Sequence, residues 1–150
     1  MAKILAVGGG SGGHVTPVVA VFKELQKQGD YDLRVWCDRK FAPNARGIFA
    51  RYDQTIPVDT IIAGKLRRYH GISKLTHLRP SILFPNIRDV VLVVVGFFQS
   101  LWKLLRWRPD VIFMKGGYVC LPVGYAARLL ILPPVLHDSD VHPGLIKRLL

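Results

Sequence analysis

A chain of 150 residues, half of them apolar, holds enough hydrophobic material for one domain with a full core and too little for two ordinary ones. Twenty-one Lys and Arg against ten Asp and Glu leave a net charge of +11, which favours an anionic partner: nucleic acid, an acidic membrane surface or a phosphorylated ligand. Cys37 and Cys120 exclude a disulfide framework and fit no metal spacing, so both are expected as reduced core thiols of a cytosolic protein.

Met1-Ala2-Lys3 leads directly into an apolar stretch, without the basic leader, separate apolar core and cleavage site of a secretory signal, and none is expected. Lys3–Val7 is short, continuously apolar and stopped by glycine, which predicts a buried parallel strand. Gly8-Gly9-Gly10-Ser11-Gly12-Gly13-His14 follows, five glycines in six positions before the histidine. Thr16-Pro17 then supplies an N-cap and a first helical residue for an amphipathic helix, Val18–Gln28, ended by Gly29. Bare amides beside the positive end of a helix dipole make an anion seat, and a pyrophosphate is the working hypothesis for its occupant.

Asp32–Cys37 is expected as a second strand and Phe41–Tyr52 as a short helix broken near Pro43 and Gly47. Thr55–Ile62 is a third strand, which Pro57 assigns to an edge. Gly64–Pro85 breaks this βαβαβ pattern: Lys65, Arg67, Arg68, Lys74 and Arg79 alternate with apolar residues without a clean period, as in a mobile basic loop. The longest apolar run, Val90–Phe98, continues through Leu101, Trp102, Leu104, Leu105 and Trp107 as a helix of about 20 residues ending before Pro109. Asp110–Met114 is a fourth strand, running into a second glycine loop, Gly116–Pro122, and a helix, Val123–Leu130. This loop weakly echoes Gly12–Pro17. Pro134–His137 is a fifth strand, and Pro143–Leu150 opens a helix that the 150 residues do not close, as expected of a fragment or of one half of a two-chain assembly.

The fold class is therefore α/β, a Rossmann-like doubly wound parallel sheet over residues 1–150. In the strand order 3-2-1-4-5, the first and fourth strands are neighbours, and ligands bind in the crevice at their carboxyl ends. Both glycine loops leave those two strands, so they are expected to face each other across it. A dinucleotide reading competes, because Gly8-x-Gly10-x-x-Gly13 matches the fingerprint and Asp38 stands where a ribose-binding acid belongs. The late helix start implied by Thr16-Pro17 counts against it. A P-loop fits worse, with His14 in place of the lysine and Val15 in place of the hydroxyl.

GGGSGGHVTP (Gly8–Pro17), GGYVCLPVG (Gly116–Gly124) and VLHDSD (Val135–Asp140) together resemble the acceptor-binding N-terminal half of the MurG family, bacterial GT-B glycosyltransferases that add GlcNAc to lipid I to make lipid II. The similarity spans nearly the whole chain, with the motifs in the family's order and spacing. It implies that an undecaprenyl-pyrophosphate-linked acceptor (lipid I) sits on Gly10, Ser11, Gly12, Gly13, His14, Thr16, Gly116, Gly117, Tyr118 and Asp140, with His14 and Tyr118 near the acceptor sugar. It also implies that UDP-GlcNAc is held mainly by a C-terminal domain outside these residues. The chain departs from the family's usual His-Glu-Gln-Asn in reading His137-Asp138-Ser139-Asp140.

Inverting transfer needs a base for the acceptor hydroxyl, and His14 suits that role near neutral pH. Asp138 is the competing base, and a histidine that only holds a phosphate is the other reading of His14. His70, His77 and His142 have no third ligand at metal spacing, so neither a metal nor another cofactor is expected. Nine uninterrupted apolar residues fall short of the ~20 that span a bilayer. Phe97, Trp102, Lys103, Arg106 and Trp107, with Arg67 and Arg68, instead suggest a face for anionic inner-leaflet lipids, hence peripheral attachment at the cytoplasmic side of the cell membrane. Two rival functions are the acceptor-side subunit of a split dolichol-type GlcNAc transferase and an NAD(P)-binding domain. A nucleic-acid module would need exposed base-stacking aromatics, and no nucleic acid is expected as partner.

Overall fold

Ile4 to Val7 is unbroken in apolarity because both faces of the first strand are covered. In β1 (Ala2–Gly8), Leu5 and Val7 join one core cluster and Ile4 and Ala6 the other. The computed structural model describes residues 1–10, 12–65 and 80–137. After β1 come α1 (Gly12–Gln28), β2 (Tyr31–Asp38), α2 (Ala42–Tyr52), β3 (Val58–Ile61), α3 (Pro80–Trp107), β4 (Val111–Gly116), α4 (Cys120–Leu129) and β5 (Pro134–Leu136). The five strands form one sheet in the order β3-β2-β1-β4-β5, with every pairing parallel, as the doubly wound reading requires.

Each face of the sheet has its own core. Val15, Val18 and Phe22 of α1 and Ala42, Ala45 and Phe49 of α2 pack with Val35 and Cys37 on one side. Leu104 of α3 and Cys120, Val123 and Ala127 of α4 pack with Trp36, Ile112 and Met114 on the other. Both cysteines are buried and free.

Several elements differ from expectation: β3 is confined to Val58–Ile61, and α4 starts at Cys120, inside the expected second glycine loop. Helix α1 begins at Gly12, four residues before Thr16, so Pro17 lies inside it. The proline cannot donate to the Gly13 carbonyl one turn back, yet near the helix start that lost bond is outweighed by the packing of Val15 and Val18. Helix α2 runs through Gly47 unbroken, with Pro43 in its first turn, where no N–H is needed. Helix α3 begins at Pro80, taking the last residues of the expected loop and extending to 28 residues, about 42 Å at the helical rise. Residues 66–79 of that loop, with Arg67 and Arg68, lie outside the described residues, as do Ser11, Asp138, Asp140 and the helix expected from Pro143.

Contacts from α3 finish the exposed edge of the sheet. Strand β3 is the edge strand Pro57 predicts, and the Gln99 side chain pairs with it like a further strand. Its Oε1 accepts from the Ile62 amide at 2.8 Å and its Nε2 donates to the Thr60 carbonyl at 3.2 Å. Gly96 and Gly64 make the approach possible: a Cβ at Gly96 would strike the Ile62 carbonyl, and one at Gly64 the Asp89 carbonyl.

Candidate functional site

The glycine loops meet at the carboxyl ends of β1 and β4. Strand pairing runs from Ile4 opposite Val111 to Val7 opposite Met114, then skips one residue so that Gly8 faces Gly116. Gly10, Gly116 and Gly117 all have positive φ, at 85°, 122° and 91°, which side chains rarely tolerate. Gly117 lies so close to the first loop that a Cβ there would strike the Gly9 carbonyl. Beneath the junction, the Cys120 thiol donates to the Gly116 carbonyl at 3.2 Å and reaches the Val7 carbonyl at 3.5 Å.

Asp38, at the end of β2, closes the third side of this junction. It is almost fully buried. Its Oδ2 accepts from the Gly10 amide at 2.7 Å, and its Oδ1 accepts from the Lys40 and Phe41 amides at 3.1 Å each. Burial first, and after it the interaction with the Asp38 carboxylate, holds the Tyr118 phenol well above its ordinary pKa. Gly9 has no side chain where a Cβ would sit 2.5 Å from Oδ2, and the Tyr118 ring lies 3.4 Å from the position a Gly10 Cβ would take.

This geometry corrects two expectations. Gly10 does not offer a bare amide to a ligand, because its N–H is given to Asp38. The helix start does not argue against a dinucleotide fingerprint either, since Gly13 lies in the first turn of α1. What disfavours a ribose at Asp38 is that both its oxygens already accept backbone amides. The available anion donors are the amides of Gly12, Gly13 and His14, which head α1 and have no intrahelical acceptor. Thr16 is exposed in the next turn. Beyond the second loop, buried Lys115 places Nζ 3.1 Å from Nδ1 of His137 at the end of β5.

Of the residues expected at a membrane, α3 divides two ways. Trp107 donates to Asp32 at 2.9 Å under the Arg34 guanidinium, Lys103 pairs with Asp59 at 3.0 Å, and Phe97 packs against the core. These three face the sheet and are corrected accordingly. Trp102 and Arg106 face outward, stacked on each other at 5.3 Å. With them Phe84, Ile87, Val91, Val94, Phe98 and Leu105 form an exposed apolar stripe at spacings of three and four residues. The helix is long and apolar enough by composition to cross a membrane, contrary to the count of nine residues. Gln99 and Ser100, which interrupt the run in sequence, lie on the sheet-facing side.

Comparison with known proteins agrees with this architecture. The glycosyltransferase family 28 N-terminal domain matches residues 4–150. The chain belongs to that family. It is 35% identical over 151 aligned positions to the UDP-N-acetylglucosamine--N-acetylmuramyl-(pentapeptide) pyrophosphoryl-undecaprenol N-acetylglucosamine transferase of Clostridium kluyveri, covering 99% of this chain and 37% of that one. A Bacillus cereus protein of the same description, number 2, is 36% identical over 99% of this chain and 38% of its own. The crystal structure of Acinetobacter baumannii MurG superposes with a TM-score of 0.73 at 27% identity, covering 99% of this chain and 38% of that one. The Streptomyces glycosyltransferase SsfS6 shares the fold, with a TM-score of 0.62 at 19% identity over 99% of this chain and 42% of that one. The chain thus spans well under half the length of these relatives.

Proposed function

We propose that this chain supplies the acceptor side of GlcNAc transfer from UDP-GlcNAc to lipid I in peptidoglycan synthesis, its glycine loops seating the lipid diphosphate. The observation that carries the reading is the contact of two glycine loops at the β1/β4 switch point, with the head of α1 as donor set, in a family 28 domain. Relatives 35% and 36% identical over 99% of this chain are named N-acetylmuramyl-(pentapeptide) pyrophosphoryl-undecaprenol N-acetylglucosamine transferases, and they are more than twice as long. The sugar donor is accordingly assigned to protein beyond these residues.

In the transfer, the acceptor hydroxyl gives its proton to a base, its oxygen bonds to C1 of GlcNAc with inversion, and the bond from C1 to UDP breaks. His14, in the first turn of α1 beside the donor amides, is our candidate base, with Asp138 as the competitor. The lipid chain of the acceptor makes the outward stripe of α3 a membrane-facing surface, and we assign the chain to the cytoplasmic face of the cell membrane as a peripheral protein. In-plane binding fits a helix whose other side pairs with β3 through Gln99 and with Asp59 through Lys103.

Titration with a short-chain polyprenyl diphosphate tests the acceptor reading: saturable binding is expected, with the corresponding alcohol bound far more weakly. Equal binding of the two would refute it. In an enzyme complete with its donor domain, His14→Ala is expected to lower kcat by about 100-fold or more at saturating acceptor. A loss confined to KM would leave His14 a phosphate ligand and shift the base to Asp138.

A further inference from the structure

Asp38 puts a carboxylate where an anion is to bind, and charge alone would weaken that binding. Its two oxygens have separate work. Oδ1 caps the end of β2 locally, through the amides of Lys40 and Phe41, two and three residues on. Oδ2 reaches 28 residues back to the Gly10 amide at 2.7 Å. Gly9 has no side chain where a Cβ would meet this carboxylate, Gly117 has none where one would strike the Gly9 carbonyl, and the Tyr118 phenol of the second loop interacts with the same carboxylate.

We propose that Asp38 is a positioning residue for the diphosphate seat, fixing the first glycine loop, against which Gly117 of the second packs, to the end of β2 so that the head of α1 is aimed into the crevice. The proposal rests on the diphosphate reading and adds to it the group that sets the geometry. Gly10 in its left-handed conformation is held by a charge-assisted hydrogen bond, stronger than a neutral one. Without it the first loop loses its link to β2, and an anion must order the loop as it binds.

Asp38→Asn separates the two roles. The amide oxygen still accepts from Lys40 and Phe41, while its NH2 meets the Gly10 N–H as donor against donor. Calorimetric titration of the full chain with farnesyl diphosphate, with farnesol as control, is expected to show about tenfold weaker binding by Asp38→Asn, which stays folded with its melting temperature lowered by several degrees. Tyr118→Phe is expected to weaken binding in the same direction, and the double variant to lose less than the sum of the two. In the ligand-free chain the Gly10 amide proton should move upfield in Asp38→Asn, because it loses a carboxylate acceptor. Binding by Asp38→Asn as tight as wild type, or tighter as removal of a repelling charge would give, overturns the proposal. Should that variant unfold, hydrogen exchange of the wild-type Gly10 amide decides: exchange as fast as that of an unbonded amide overturns it. A wild-type chain that does not distinguish farnesyl diphosphate from farnesol overturns the diphosphate reading and this proposal together. Tight wild-type binding matched by both variants overturns the positioning role alone.

Discussion

Gly117 carries two constraints at once, a left-handed φ of 91° and a backbone neighbour, the Gly9 carbonyl, where a Cβ would be. A flexible side chain might be pushed aside, but a carbonyl at the end of the central strand cannot be moved without moving β1. Gly117→Ala is therefore expected to destabilise the fold by about 2 kcal/mol or more, with a lowered urea midpoint as readout, whereas Gly47→Ala, with nothing near its Cβ, should be neutral or stabilising. The buried thiols set the alkaline limit. Burial pushes Cys37 up to about 11 and Cys120 up to about 12, from 9.0 for a free thiol, and Tyr118 is raised as well. A raised folded-state pKa means that the unfolded chain loses its protons first. The associated stability is complete below about pH 9 and is lost as pH rises towards 11 and 12. Urea midpoints should hold steady up to pH 9 and fall beyond it; a midpoint unchanged at pH 11 would contradict the burial of these groups.

Helix α3 is amphipathic in an unusual sense, since both of its sides carry apolar residues and the polar residues Gln99, Ser100 and Lys103 fall on the side that faces protein. Gln99 completes the edge strand, Lys103 reaches Asp59, and Trp107 bonds Asp32, while Phe98, Trp102 and Leu105 face out. Substitutions on the two sides should therefore separate. Phe98→Glu with Trp102→Glu is expected to abolish flotation with anionic vesicles at unchanged melting temperature. Leu104→Ala, on the buried side, is expected to cost about 2–5 kcal/mol of stability. Recovery of the double glutamate variant with vesicles at the wild-type level would refute the lipid-facing assignment. Recovery of wild type that is equal on neutral and anionic vesicles, and insensitive to salt, would remove the electrostatic contribution of Arg106 and its neighbours.

The doubly wound topology converts sequence separation into contact: Gly10 and Gly117 are more than a hundred residues apart, and β1 and β4 are neighbours only because the chain reverses direction across the sheet. The same topology sets Asp38 beside the first loop, where its oxygens are taken by backbone amides. Titration with NADH is accordingly expected to give no saturable signal, and binding at micromolar levels would reopen the dinucleotide reading. The alternation of strands and helices and the two glycine loops were legible in the sequence, because continuous apolar runs stopped by glycine and periodic apolar helices are local patterns, whereas the strand order was assumed from the doubly wound class and is decided by the strand pairings. The motifs GGGSGGHVTP and GGYVCLPVG also carried the family, which the match over residues 4–150 bears out. The start of α1 was misjudged because Thr16-Pro17 is a sound local cap signal that tertiary packing of Val15 and Val18 overrides. The side of α3 on which Trp107 and Lys103 fall was not legible, because composition names the residues of a helix but not the neighbours each side meets.

By itself, then, the sequence determined an α/β domain with two strands that each run into a glycine loop, since those follow from periodicity and glycine placement. Only the tertiary structure decided that those two strands are neighbours, which side of α3 is left uncovered, and that Asp38 takes the Gly10 amide of the first loop. Those are contacts between elements, and a hydrogen bond from Gly10 to a carboxylate 28 residues away exists only once β1 and β2 are side by side.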